Sequence, residues 1–147
     1  MKVVIQRSKN SSVTIDSKIY NEIPYGLVIF SCFTEGDSSE DIDYIVKKIL
    51  NLRIFDDENG IMNKSILDIK GFILSISQFT LYALTKNGNR PSYIKALSGE
   101  KAIKLYDEFN QKLNNCVICK TGVFGADMQV NIVNDGPITI IIDSKNK

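Results

Sequence analysis

Ser77-Gln78-Phe79-Thr80-Leu81-Tyr82 places three hydroxyls and an amide directly behind the apolar run Phe72 to Ile76. That is more polarity than a core requires, although Ser and Thr at strand ends also bond the local backbone. The chain has no histidine. Ser-His-Asp and Cys-His mechanisms and histidine-ligated metals are therefore excluded. Thr80 is a nucleophile by type, but no base is evident to activate it, and an unassisted hydroxyl is poor at neutral pH. Gly88 to Tyr93 is a donor-rich loop, and Thr121 to Met128 sets Phe124 between two glycines, where an aromatic ring is expected to be exposed beside approachable backbone. Between Thr85 and Lys104 the basic residues Lys86, Arg90, Lys95, Lys101 and Lys104 face one acid, Glu100, so a chain of net charge +1 carries a local face suited to phosphates. Cys116 and Cys119 form a C-x-x-C, but Val117-Ile118 between them reads as strand and puts the thiols on opposite faces. The three cysteines are read as reduced and structural, not as a zinc or redox motif.

The second chemical candidate is Asn134-Asp135-Gly136-Pro137-Ile138-Thr139. Met128, Val130 and Ile132 alternate with polar residues before it, and Ile138, Ile140 and Ile142 recur with the same period of two after it. The spacing predicts a tight hairpin turn over Asn134 to Pro137, with Gly136 supplying positive φ. Pro137 is a poor choice for a mere connection, because it has no N–H for a ladder. A Gly-Pro bond can also be cis, at about 0.5–1 kcal/mol, turning two consecutive carbonyls to one side.

The elements that must position these groups fit one domain over residues 1–147, 44% hydrophobic and 24% charged. Lys2 to Ser8 and Val13 to Ile15 predict a hairpin turning at Asn10-Ser11-Ser12. Tyr25 to Phe33 is continuously apolar, like a central strand buried on both faces. Ser38 or Ser39 caps a helix whose buried face is Ile42, Ile45, Val46, Ile49 and Leu50. Ser98 caps a second, with Ala102, Leu105, Tyr106, Phe109 and Leu113 inward and Asn114-Asn115 at its end. Ser144 to Lys147 reads as a loose tail. The order implies an α+β domain, with a mainly antiparallel or mixed sheet packed with two long helices. No signal peptide or membrane span is supported, which fits a cytoplasmic protein.

Taken together, in this order, the motifs are specific. The chain resembles the D-aminoacyl-tRNA deacylase family over nearly its whole length. The match is carried by Gln6-Arg7, Arg53-Ile54-Phe55 with Gly60, Met62-Asn63, Ser77 to Tyr82, Arg90-Pro91-Ser92, Thr121-Gly122 with Phe124, Ala126, Met128-Gln129-Val130, and Asn134-x-Gly136-Pro137-x-Thr139. The resemblance implies a homodimer with active sites at the subunit interface, a cis Gly136-Pro137 bond, and no cofactor or metal. Carried over, Gly136 and Pro137 of one subunit present carbonyls to the substrate's α-amino group, while Ser77, Gln78, Phe79 and Thr80 of the other line the site. A D-residue turns its side chain outward; an L-residue clashes with main chain, and glycine passes, so glycyl-tRNA is a second expected substrate. Arg7 holds carbonyls of the Gly-Pro loop and fixes its orientation, Asn134 and Thr139 belong with Gly136, Pro137 and Arg7 to the substrate-binding chiral filter, Phe124 and Met128 hold the terminal adenine, and Lys86 and Arg90 belong to the basic stretch that meets the tRNA acceptor stem. The expected mechanism orients the ester and a water, with N–H groups near Phe79 and Thr80 on the oxyanion and the ribose hydroxyl assisting. Two rival expectations are a relative with a trans bond that edits L-alanine mischarged tRNA, and a non-catalytic nucleic-acid-binding protein on this scaffold.

Overall fold

The apolar stretch 25–33 ends a long strand, β2 (Lys18–Cys32), which runs antiparallel to β1 (Lys2–Ile15) in a computed structural model describing residues 1–146. On its other side β2 pairs in parallel with β5 (Phe72–Ser77), and β5 in parallel with β6 (Cys119–Thr121). β7 (Gln129–Asp143) lies antiparallel outside β1, giving the order β6-β5-β2-β1-β7. A separate small hairpin joins β3 (Phe55–Asp56) to β4 (Met62–Lys64). Parallel neighbours need crossovers, and helices α1 (Ser39–Asn51) and α2 (Gly99–Asn114) lie in the two connections, β2 to β5 and β5 to β6. The α+β class with a mixed sheet and two helices is the one expected from the sequence.

Both helices cover one sheet face. Ile42, Ile45 and Ile49 of α1 and Tyr106, Phe109 and Leu113 of α2 pack with Val3, Ile5, Leu27, Ile29 and Ile73, each large side chain worth roughly 1.5–3 kcal/mol on burial. Leu105, expected inward, is only half-buried. The other face carries Val13, Ile23, Val28, Leu74 and Ile76, with Phe30, Phe72, Met128, Val130 and Ile132 only partly buried around them.

Three expectations change. β1 does not fold back at Asn10; it runs on through a left-handed Asn10 (φ 41) and a register irregularity between Lys9 and Ser12, turning only at Asp16-Ser17. Asn134 to Pro137 is not a hairpin turn. β7 pairs with β1 on both sides of it, Thr139 opposite Gln6 and Asn134 opposite Ser8, so residues 135–138 bulge out where β1 spends only Arg7. Alternation alone cannot distinguish a turn between two strands from an excursion within one. The face also changes across it: Val130 and Ile132 pack on the open side, Ile138, Ile140 and Ile142 on the helix side.

The tail is the third correction. Ser144 is buried, and its Oγ accepts a hydrogen bond from the α-amino group of the fully buried Met1 at 2.8 Å, while Asp37 Oδ1 lies 2.6 Å from the same nitrogen. Lys147 lies outside the described residues. Lys145 Nζ donates to the Asp41 carboxylate at 3.0 Å, and the Ser38 N–H donates to it at 3.0 Å. Burial pushes the Asp41 pKa up, but bonds from Ser144, Lys145 and Ser38 outweigh it, leaving the carboxyl well below its usual 3.8. A pKa lowered by folding stabilises above the unfolded value and is lost as pH falls through the folded one. Asp41→Asn is thus expected to remove about 1–3 kcal/mol at pH 7 and to flatten the loss of stability below about pH 4, read from urea unfolding across pH.

Candidate active site

Strand β5 ends at Ser77, and the chain tightens into a single 3-10 turn, Phe79–Tyr82, begun by Gln78. The first N–H groups of such a turn have no partner within it and point outward as donors. Ser77 lies in register with Ser31 of β2, so both serines stand at the C-terminal ends of parallel strands, where α/β sheets bind ligands. A cavity of about 520 Å³ opens there, lined by Ser77, Gln78 and Phe79, by Leu97, Gly99 and Ala102 at the start of α2, and by Phe124 and Met128. Thr80 is half-buried and not part of this lining: its Oγ1 is 2.6 Å from Gln78 Nε2, and a carboxamide cannot take its proton.

Phe124 is half-buried rather than exposed, tilted against Tyr106 with centroids 5.7 Å apart. Tyr106 in turn donates to the Ser75 carbonyl at 2.8 Å, and burial pushes its phenol up to about 12. Met128 reaches the cavity because Gly122 has no side chain; a Cβ there would lie 2.5 Å from the Met128 sulfur and 3.2 Å from Ile76 Cδ1. Cys32 also lines the space, its Sγ donating to the Phe79 carbonyl at 3.3 Å. Burial raises that thiol to about 11, so it is not a nucleophile at neutral pH. The one carboxylate on the lining is Asp127, exposed at the rim. Lys86 and Arg90 are exposed on a loop whose ends are tied by the Leu84–Ser92 bridge, outside the cavity. Cys116 is exposed and Cys119 half-buried, with Cys119 raised by burial to about 12.

The remaining expected residues form a second group. Asn134 braces the neck of the excursion: its Nδ2 donates to the Arg7 carbonyl at 3.0 Å and to the Ile138 carbonyl at 2.9 Å, while its Oδ1 accepts from Thr139 Oγ1 at 3.3 Å and Gln6 Nε2 at 3.3 Å. This is why an amide and a hydroxyl bracket the motif. Arg7, 6% exposed, does not hold the Gly136 or Pro137 carbonyls. Its Nη1 donates to the Ile54 carbonyl at 2.9 Å and pairs with Asp56 at 3.3 Å; its Nε lies 3.0 Å from Asp135, an ion contact without hydrogen-bond alignment. Lys9 pairs with Asp135 from the other side at 3.0 Å. The sequence reading missed Asp135, although it sits inside the motif; asking what carboxylate neutralises a strand arginine would have found it. The Gly136-Pro137 bond is cis, and both residues are exposed.

Within one chain the two groups do not meet. The excursion is opposite Arg7, whereas Ser77 aligns through Ser31 with Val3, four residues along and three strands across. At about 3.3 Å per residue and 4.8 Å per strand, they lie roughly 20 Å apart.

The family model for D-Tyr-tRNA(Tyr) deacylase matches residues 4–143. A D-aminoacyl-tRNA deacylase of Bacteroides fragilis (strain YCH46) is 59% identical over 150 residues, covering 100% of this chain and 99% of that protein. The solved structure of a c-Myc DNA Unwinding Element Binding Protein superposes with a TM-score of 0.92 at 38% identity, over 97% of this chain and 98% of that one. A probable eukaryotic D-amino acid tRNA deacylase shares the fold, with a TM-score of 0.82 at 17% identity over 96% and 97% of the two chains. With its motifs spread over both groups of the site and its match spanning nearly the whole chain, this protein belongs to the D-Tyr-tRNA(Tyr) deacylase family.

Proposed function

We propose that this chain hydrolyses the ester of D-aminoacyl-tRNA, releasing the D-amino acid, and that it does so as a cytoplasmic homodimer. The observation that carries the reading is a cavity joining Ser77, Gln78 and Phe79 to Phe124 and Met128 in a chain of this family. In the proposed assembly, the Gly136-Pro137 tip of one subunit enters the cavity of the other and meets the α-amino group with its carbonyls. Three features support this: the tip's exposure, its anchorage by Asn134 and Arg7, and its distance from its own chain's cavity. The partly buried Phe30, Phe72, Val130 and Ile132 offer an apolar face for the partner. N–H groups at the start of the 3-10 turn receive the developing oxyanion, and the neighbouring ribose hydroxyl assists the water. Since the wall is backbone, side-chain identity matters little, and glycyl-tRNA is also cleaved.

Incubation with D-tyrosyl-tRNA and L-tyrosyl-tRNA tests the reading. Tyrosine release is expected to be at least about 1,000-fold faster from the D-ester, about 4 kcal/mol and so beyond the roughly 1–3 kcal/mol that a lost methylene contact supplies. Release from neither overturns the deacylase reading, and equal release overturns the filter.

Because Thr80 faces an amide and no base, Thr80→Ala is expected to keep kcat within about tenfold of the parent enzyme. Single-turnover assays check this; abolished chemistry with binding intact would make Thr80 the nucleophile.

A further inference from the structure

Two aromatic rings stand at the cavity mouth. Phe79 is 57% exposed and Tyr93 39%, with centroids 5.0 Å apart in an edge-to-face pair. Both also line the cavity, so the pair forms one side of the opening through which a ligand longer than the cavity can leave. Paired aromatic rings exposed on the edge of a cavity offer a flat apolar surface that a ring-bearing ligand can use.

Its neighbours decide which. Lys101 pairs with Glu35 at 3.3 Å, but among the described residues no ion pair engages Lys86, Arg90 or Lys95, all within the segment that carries Tyr93. The partner tip proposed to enter the cavity carries Gly136 and Pro137, which are neither aromatic nor charged and leave these cations without a partner. A flat apolar ring system attached to phosphates satisfies both features, which is the chemistry of an unpaired nucleotide.

We propose that the Phe79–Tyr93 pair stacks the base of the nucleotide preceding the terminal adenosine, with the unpaired cations of residues 86–95 facing its phosphates. The inference rests on the deacylase reading: if the cavity holds the aminoacyl-adenosine end, the chain of the RNA leaves across these rings. The binding site then recognises two nucleotides, the second by stacking and therefore with little sequence preference.

The test compares kcat/KM for the D-tyrosyl ester of adenosine with that for the D-tyrosyl ester of the dinucleotide cytidylyl-adenosine. The parent enzyme should favour the dinucleotide ester by about tenfold, the effect of one base-aromatic stack. Tyr93→Leu should bring the ratio near one, and Tyr93→Trp should restore it. Lys95→Ala, which leaves the rings in place, should lower the ratio about two- to threefold and flatten its salt dependence. A parent ratio of one, or a ratio that Tyr93→Leu leaves unchanged, overturns the inference. So does a shift of Tyr93→Leu to smaller species in sedimentation with the ratio kept, which would assign the pair to a subunit contact. Release of tyrosine from neither ester nor from D-tyrosyl-tRNA overturns the deacylase reading, and this inference with it.

Discussion

Gly136→Ala is expected to lower kcat/KM for D-aminoacyl-tRNA by about two orders of magnitude while costing only about 1–2 kcal/mol of stability. Gly136 has φ +119, and a Cβ there would lie 2.8 Å from Ile138 Cγ1 and 3.0 Å from the Ile138 nitrogen. An L-residue avoids that backbone region, so the tip must reshape. The neck remains tied by Asn134 to the Arg7 and Ile138 carbonyls, so the change stays in the exposed tip and barely reaches the core. The tip carries the carbonyls assigned to the substrate's ammonium, and a misplacement of about 1 Å in a positioning group can reduce a rate about 100-fold. Steady-state kinetics beside thermal unfolding separates the two effects. Activity within threefold of the parent would remove the tip from the site; a collapse in stability would make it structural.

The largest effect on folding is expected at Gly26. It has φ +151, and an added Cβ would fall 1.8 Å from the Phe72 carbonyl oxygen and 2.6 Å from its nitrogen. These are backbone atoms of the strand that β2 pairs with, and Gly26↔Phe72 is the first rung of that parallel ladder. No side chain can rotate away, so β2 and β5 must part. Gly26→Ala should remove more than about 4 kcal/mol or leave no folded protein, as read by circular dichroism and denaturant titration. Gly36→Ala is the control: φ is +81 but nothing lies within 4 Å, and about 1 kcal/mol is expected.

The helices were legible because their signals are local. Ser38 and Ser98 precede them, and Ile42, Ile45, Ile49, Tyr106, Phe109 and Leu113 recur at the helical period and are buried. The motifs at 77–80 and 134–139 were legible as chemistry for a different reason, an excess of polarity or an awkward proline where packing alone would choose otherwise. What the sequence hid is pairing. Asn10 reads as a turn residue, yet its left-handed backbone turns β1 from one sheet face to the other. The β7 excursion reads as a hairpin because both flanks alternate; only the partner strand shows that they are one strand. Phe124 was expected to be exposed from its glycines, but Tyr106, on a distant helix, half covers it.

The excursion has one more consequence, for solubility. β7 closes the sheet on one side, and a long extended edge is a template on which other chains can add strand after strand. Residues 135–138 leave the ladder and Pro137 has no N–H, so the edge is divided into the short runs 129–134 and 139–143, which bury their apolar side chains on opposite faces. No straight strand can dock along both. The same four residues that present the proposed filter thus guard the sheet against open-ended growth, and straightening them by deletion would be expected to yield aggregates rather than a merely inactive enzyme.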